Sequence, residues 1–128
     1  MTDFDIDKID KIYMYILVNN DLKMTKGKIA SQVGHVVGLI TEDILTKYYE
    51  SHKGIPDSYL RYTNWKANGE GKIILKATEE QIKKLVGEKE SIYIIDEGKT
   101  QIEKGSLTVI GFYPKANLSK KFSNYKLL

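Results

Sequence analysis

Ile12 to Val18 (Ile-Tyr-Met-Tyr-Ile-Leu-Val) is an unbroken apolar run rich in β-forming residues. A run of that length without alternation predicts a strand covered on both faces, as in an α/β sheet. Asn19-Asn20-Asp21 ends it with turn chemistry, and Thr25 is placed to cap a helix running from Lys26 to about Ile40. Ala30, Gly34 and Gly38 recur every four residues along that helix. Glycine inside a helix costs about 1 kcal/mol relative to alanine, so this small-residue stripe predicts a close approach of helix backbone to sheet. Ile29, Val33, Val36, Val37 and Ile40 would supply the burial around it.

A second helical segment, Thr41 to Ser51, is broken at Gly54-Ile55-Pro56 and followed by a short helix from Asp57 to about Trp65. Asn68 to Gly71 reads as a turn, and Lys72 to Ala77 as the second strand. Thr78-Glu79-Glu80-Gln81 has the form of a capping box and opens a helix to about Val86. Ser91 to Ile95 and Leu107 to Tyr113 are predicted strands, and Asn117 to Phe122 a short basic tail helix. This order predicts a single α/β domain: a small mixed four-stranded sheet flanked by helices on both faces. The last two strands lack a helix between them, so one of them is expected to run antiparallel.

Composition narrows the class. The 128 residues suit one domain with a continuous core. Residues 1–11 form an acidic extension, with Asp3, Asp5, Asp7 and Asp10, ahead of a domain spanning 12–128. An acidic start is unlike a targeting peptide, and no apolar run is long enough to span a bilayer, so a soluble cytoplasmic protein is expected. There is no cysteine and there are only two histidines, which argues against a metal centre. The net charge of +3 is a weak pointer to an anionic partner. Placement says more: Lys23, Lys26 and Lys28 cluster at one strand-to-helix turn, while Arg61 is the sole arginine. Lysine is a mobile point charge that suits phosphate backbones better than base edges.

Ligands of open α/β sheets collect beyond the carboxyl ends of the strands. Asn19 to Lys28 and Asp96 to Ser106 both follow strands and bring lysines, carboxylates and hydroxyls together. The first segment lacks the leading glycine of a Walker loop, and Ile29 follows Lys28 where serine or threonine belongs, which argues against an NTPase. Asp96 at a strand end, with Thr100 four residues on, suits orienting a water near a lysine; Asp96 would serve equally well as a turn cap. His52, the Glu79–Lys84 charge run and the scattered tyrosines read as surface and packing residues.

These segments also carry a family resemblance. Asp21-Leu22-Lys23-Met24-Thr25-Lys26-Gly27-Lys28-Ile29-Ala30-Ser31-Gln32, then His35, resembles the first motif of the archaeal and eukaryotic type of peptidyl-tRNA hydrolase. Asp96-Glu97-Gly98-Lys99-Thr100-Gln101-Ile102, then Gly105-Ser106 and Thr108 to Gly111, is similar to the second. The resemblance implies a mixed sheet flanked by helices, often dimeric. It implies hydrolysis, without metal or cofactor, of the ester joining a peptide to the terminal ribose of tRNA. It places Lys28, Asp96 and Thr100 at positions of catalytic importance, with Thr108 nearby and Gln32, His35 and Gln101 in motif positions. Asp96 would orient water or act as base, Thr100 would hydrogen-bond, and Lys28 would stabilise an oxyanion or phosphate. Lys23, Lys26 and Lys99 would hold tRNA phosphates. Two departures remove arginines usual in the family, at Asn19 and Lys99. The alternative is a non-catalytic RNA- or protein-binding domain on the same fold, which has no need of Lys28, Asp96 and Thr100 together.

Overall fold

The computed structural model describes residues 11–98 and 105–128. All but the last residue of the acidic extension, and the predicted site residues Lys99, Thr100 and Gln101, therefore lie outside the described residues. The elements are β1 (Met14–Asn19), α1 (Lys26–Glu50), α2 (Asp57–Ala67), β2 (Lys72–Ala77), α3 (Glu79–Leu85), β3 (Ser91–Ile95), β4 (Leu107–Phe112) and β5 (Lys126–Leu127). The sheet order is β3-β4-β1-β2-β5. β1 and β2 are parallel, and every other pairing is antiparallel.

The sheet is mixed, as expected, but has five strands rather than four. β5 is two residues long and pairs Leu127 with Leu75 and Lys126 with Lys76. So short a strand carries no periodicity, and it forms only because β2 offers an open edge. The predicted tail helix is also absent: residues 119–124 are successive turns, with Ser123 N–H donating to Lys120 O and Tyr125 N–H to Phe122 O. Those tight turns drop Phe122 into the core against Tyr15 and Phe112.

Alternation along β1 explains its unbroken apolar run. Met14, Ile16 and Val18 face α1 and α2, where they pack with Val36, Ile40, Ile44 and Trp65. Tyr15 and Leu17 face the other way and pack with Ile82 and Leu85 of α3 and with Phe112 and Phe122. Helices thus cover both faces. α2 is fastened by the lone arginine. The Arg61 guanidinium meets Asp57 (2.9 Å), Glu90 (2.6 Å) and the Pro114 carbonyl (2.8 Å), so it is committed to structure. At the far end of α1, the Tyr113 hydroxyl donates to Asp43, and Lys47 Nζ lies 2.7 Å from the same oxygen. Among the described residues no helix is long and apolar enough to cross a membrane.

α1 is one helix of 25 residues, not two segments. Its small-residue stripe does not face the sheet. Gln32, Val36, Ile40 and Ile44 form the buried stripe, while Ala30, Gly34 and Gly38 are exposed. At 3.6 residues per turn an offset of two positions is about 200°, so the heavier apolar stripe turns the glycines to the opposite side. The close approach comes from the sheet instead: a Cβ on Gly111 of β4 would sit 2.8 Å from Ile40 Cδ1 and 3.2 Å from Val36 Cγ2.

Added methyl groups should therefore act with opposite signs. Gly34→Ala and Gly38→Ala meet no atom within 4 Å and should each raise stability by about 0.5–1 kcal/mol. Gly111→Ala should lower it by about 1–3 kcal/mol through overpacking. Urea denaturation of the three variants reads this directly, and a stable Gly111→Ala protein would contradict the packing described.

Candidate active site

The two segments singled out in the sequence meet at the carboxyl end of the sheet. β1 ends at Asn19, whose buried side chain accepts from Asp21 N–H (3.0 Å) and donates to Leu107 O (2.8 Å), tying the exit of β1 to the start of β4. The chain turns through Lys23, which is left-handed at φ 49°, and Thr25 Oγ1 then caps α1 by accepting from Lys28 N–H (3.3 Å). Lys28 therefore lies in the first turn. It also lies one turn before Gln32, at the head of the buried stripe, so the face that packs on the sheet also aims Lys28 at the end of β3.

On the other side, Asp96 follows β3. Its N–H donates to Ser106 O and its carbonyl accepts from Gly105 N–H, both at 2.8 Å. This pair of bonds fixes the Asp96 backbone. The carboxylate is held from two directions: Lys28 Nζ donates to Oδ1 at 2.5 Å, and Gly98 N–H to Oδ2 at 2.8 Å. Both side chains of this ion pair are largely buried, at 8% and 6% exposed. The Lys28 ammonium first, and the Gly98 N–H second, hold the Asp96 carboxyl below the usual carboxylate range, against the opposing effect of burial. Asp96 is thus ionised at neutral pH and keeps a positive charge beside it.

Behind the pair, the wholly buried Thr108 hydroxyl donates to Gln32 Oε1 at 2.6 Å, with Ile94 O 3.3 Å away. This bond locks Gln32 against β4, one turn from Lys28. A cavity of about 230 Å³ opens over the group, lined by Lys28, Gln32, His35, Ile94, Ile95, Asp96 and Glu97. Five of the predicted site residues, Lys28, Gln32, His35, Asp96 and Thr108, are therefore brought together. His35 is exposed at the rim. Lys23 and Lys26 are exposed on the approach to α1. Two contributors were not anticipated in the sequence: the Gly98 N–H, which only a turn at 96–98 reveals, and the clamping role of Asn19.

Among the described residues no group of three or more histidines and carboxylates could hold a metal ion. The arrangement offers a buried ammonium–carboxylate pair at the wall of an open cleft, suited to placing positive charge against a developing oxyanion.

The family model for Peptidyl-tRNA hydrolase PTH2 matches residues 12–128. The chain belongs to the PTH2 family. Among its relatives, the peptidyl-tRNA hydrolase of Methanococcus vannielii is 35% identical over 121 residues, spanning 88% of this chain and 96% of that protein. The peptidyl-tRNA hydrolase of Sulfurisphaera tokodaii is 37% identical over 107 residues, 79% of this chain and 84% of its own length. The human protein named peptidyl-tRNA hydrolase 2, mitochondrial, is 33% identical over 108 residues. That match spans 79% of this chain and 54% of the human protein, so the PTH2 domain here corresponds to about half of it.

The pairing predicts a titration signature. Because the folded-state pKa of Asp96 is depressed below 3.8, its contribution to stability is complete above that value. It is lost as pH falls through the lower, folded pKa. Lys28→Met removes the main cause and leaves only the Gly98 N–H to oppose burial, so the Asp96 midpoint should rise. Carboxyl NMR titration measures it, and an unchanged midpoint would separate the two groups.

Proposed function

We propose that this PTH2-family chain hydrolyses the ester between a peptide, or an N-acylated amino acid, and the 3′-terminal ribose of tRNA, releasing tRNA for reuse. The observation that carries the reading is the Lys28–Asp96 contact at the carboxyl end of the sheet, in a chain of this family. Water attacks the ester carbonyl carbon, the bond to the ribose oxygen breaks, and the products are a carboxylate and a free ribose hydroxyl.

In this mechanism Lys28 stabilises the oxyanion of the tetrahedral intermediate. The depressed pKa makes Asp96 a weak proton acceptor, so orienting the water and holding the ammonium suits it better than ground-state deprotonation. Thr100 supplies a further hydrogen bond to water or intermediate, and Gln101 binds the substrate. Gln32 and Thr108 act as positioning residues behind Lys28. His35 contacts the substrate at the rim. Lys23, Lys26 and Lys99 hold the phosphates of the acceptor end, so binding weakens steeply with salt. The proposal includes a homodimer, which the family resemblance implies, and a cytoplasmic setting.

A gel assay on N-acetylated aminoacyl-tRNA in chelator tests the reading. The wild type should release tRNA at low salt, and Lys28→Ala should lower kcat by about 10²-fold or more, as loss of an oxyanion donor does. Absence of cleavage by the wild type would favour a binding domain. Lys23→Gln with Lys26→Gln should instead raise KM and flatten its salt dependence.

A further inference from the structure

We propose that a second, apolar groove on the opposite side of β3 receives the peptide portion of the substrate, a reading that rests on the hydrolase function above. Tyr93 and Ile95 pair across the sheet with Ile110 and Leu107. Both partners belong to the core on the α3 side, so Tyr93 and Ile95 point to that side too. They are not covered there. α3 has only seven residues, about 10 Å of helix, and the chain turns away at Gly87, whose φ is +94°. α3 packs chiefly on β1 and β4.

Tyr93, Ile95 and Val86 are consequently 45%, 46% and 38% exposed, on a concave surface of about 520 Å³ floored by the buried Leu107. Gly105 and Ser106 also line the groove, and Ile95 also borders the cleft that holds Lys28 and Asp96. The two surfaces therefore share Ile95, the residue before Asp96, at the end of β3.

The substrate has the same two-part character. On one side of its ester lies a polyanion, and on the other a peptide of arbitrary sequence. Recognition of arbitrary sequence requires main-chain hydrogen bonds together with undemanding apolar contact. β3 supplies both: it is the edge strand, paired only with β4 among the described residues, and an extended peptide can add to such an edge. Glu79 and Lys83, the two charged residues lining the groove among the described residues, are paired with each other and so compensate.

The test compares two substrates on one tRNA, bearing either an N-acetylated single residue or an N-acetylated apolar tetrapeptide. The ratio of their kcat/KM values cancels effects on the chemistry common to both. The wild type should favour the tetrapeptide by roughly tenfold, as an apolar contact of this size allows. Tyr93→Ser should bring the ratio near one, and Val86→Ser, a milder change on a different element, should lower it in the same direction. A wild-type ratio near one, or an unchanged ratio in both variants, overturns the groove while leaving the hydrolase reading intact. Failure of the wild type on both substrates removes that reading, and this inference with it. A sedimentation shift from dimer to monomer in the variants, with the ratio preserved, would assign the groove to a second copy of the chain and overturn the proposal.

Discussion

An ammonium and a carboxylate are hard to remove from water, and Lys28 and Asp96 are removed together, 2.5 Å apart and nearly covered. Neither would be comfortable alone at that depth. Their contact spans 68 residues of sequence and requires α1 to begin where β3 ends. Several features converge on that single requirement. Thr25 fixes the first turn of α1, and the Val36–Ile40–Ile44 stripe fixes its rotation about the helix axis. Gly111 lets the helix settle onto β4, and Asn19 clamps the exit of β1 to the same strand. The Asp96 backbone is pinned by Gly105 and Ser106, so the carboxylate meets the ammonium without searching. Preorganisation of this kind is what an ester hydrolase needs, because donors already in place cost no reorganisation when charge develops.

The sheet also divides the chemistry. Its α1 side carries the charged cleft, and its α3 side carries the uncovered Tyr93 and Ile95. The two surfaces share Ile95, the residue before Asp96. A substrate with a polyanionic half and a peptide half would place its ester at that junction, which is where the ion pair lies. The short α3 is therefore more than a minor connection. By ending at Leu85 it leaves open the surface that a longer helix would have buried.

Much of this was legible in the chain, and the exceptions have physical causes. Lys72–Ala77 and Ser91–Ile95 appear as strands with the bounds expected of them, and the Thr78–Gln81 capping box forms as written, because in each case neighbouring residues decide the outcome. β5 is not legible in the sequence because two residues have no pattern of their own and pair only where an open edge awaits them. In place of the tail helix, successive turns at 119–124 set Phe122 against Tyr15 and Phe112 in the core. The Ala30–Gly34–Gly38 stripe faces away from the sheet because small residues alone do not set a helix's rotation; the larger apolar residues do. At the site, the motif residues could be named, but not that Lys28 and Asp96 would neutralise each other or that Gly98 would hold the second carboxylate oxygen. Those are consequences of distance, which spacing in sequence does not contain.

The claim at the centre is that Lys28 and Asp96 act as one unit. A double-mutant cycle in single-turnover cleavage of N-acetylated aminoacyl-tRNA, using Lys28→Met, Asp96→Asn and the combination, tests it most directly. If the pair is a unit, each single change costs nearly as much as both, and the double variant is little slower than either. Additive losses, with the double variant slower by the product of the two single effects, would mean that the residues work independently and that their contact is not the basis of the site.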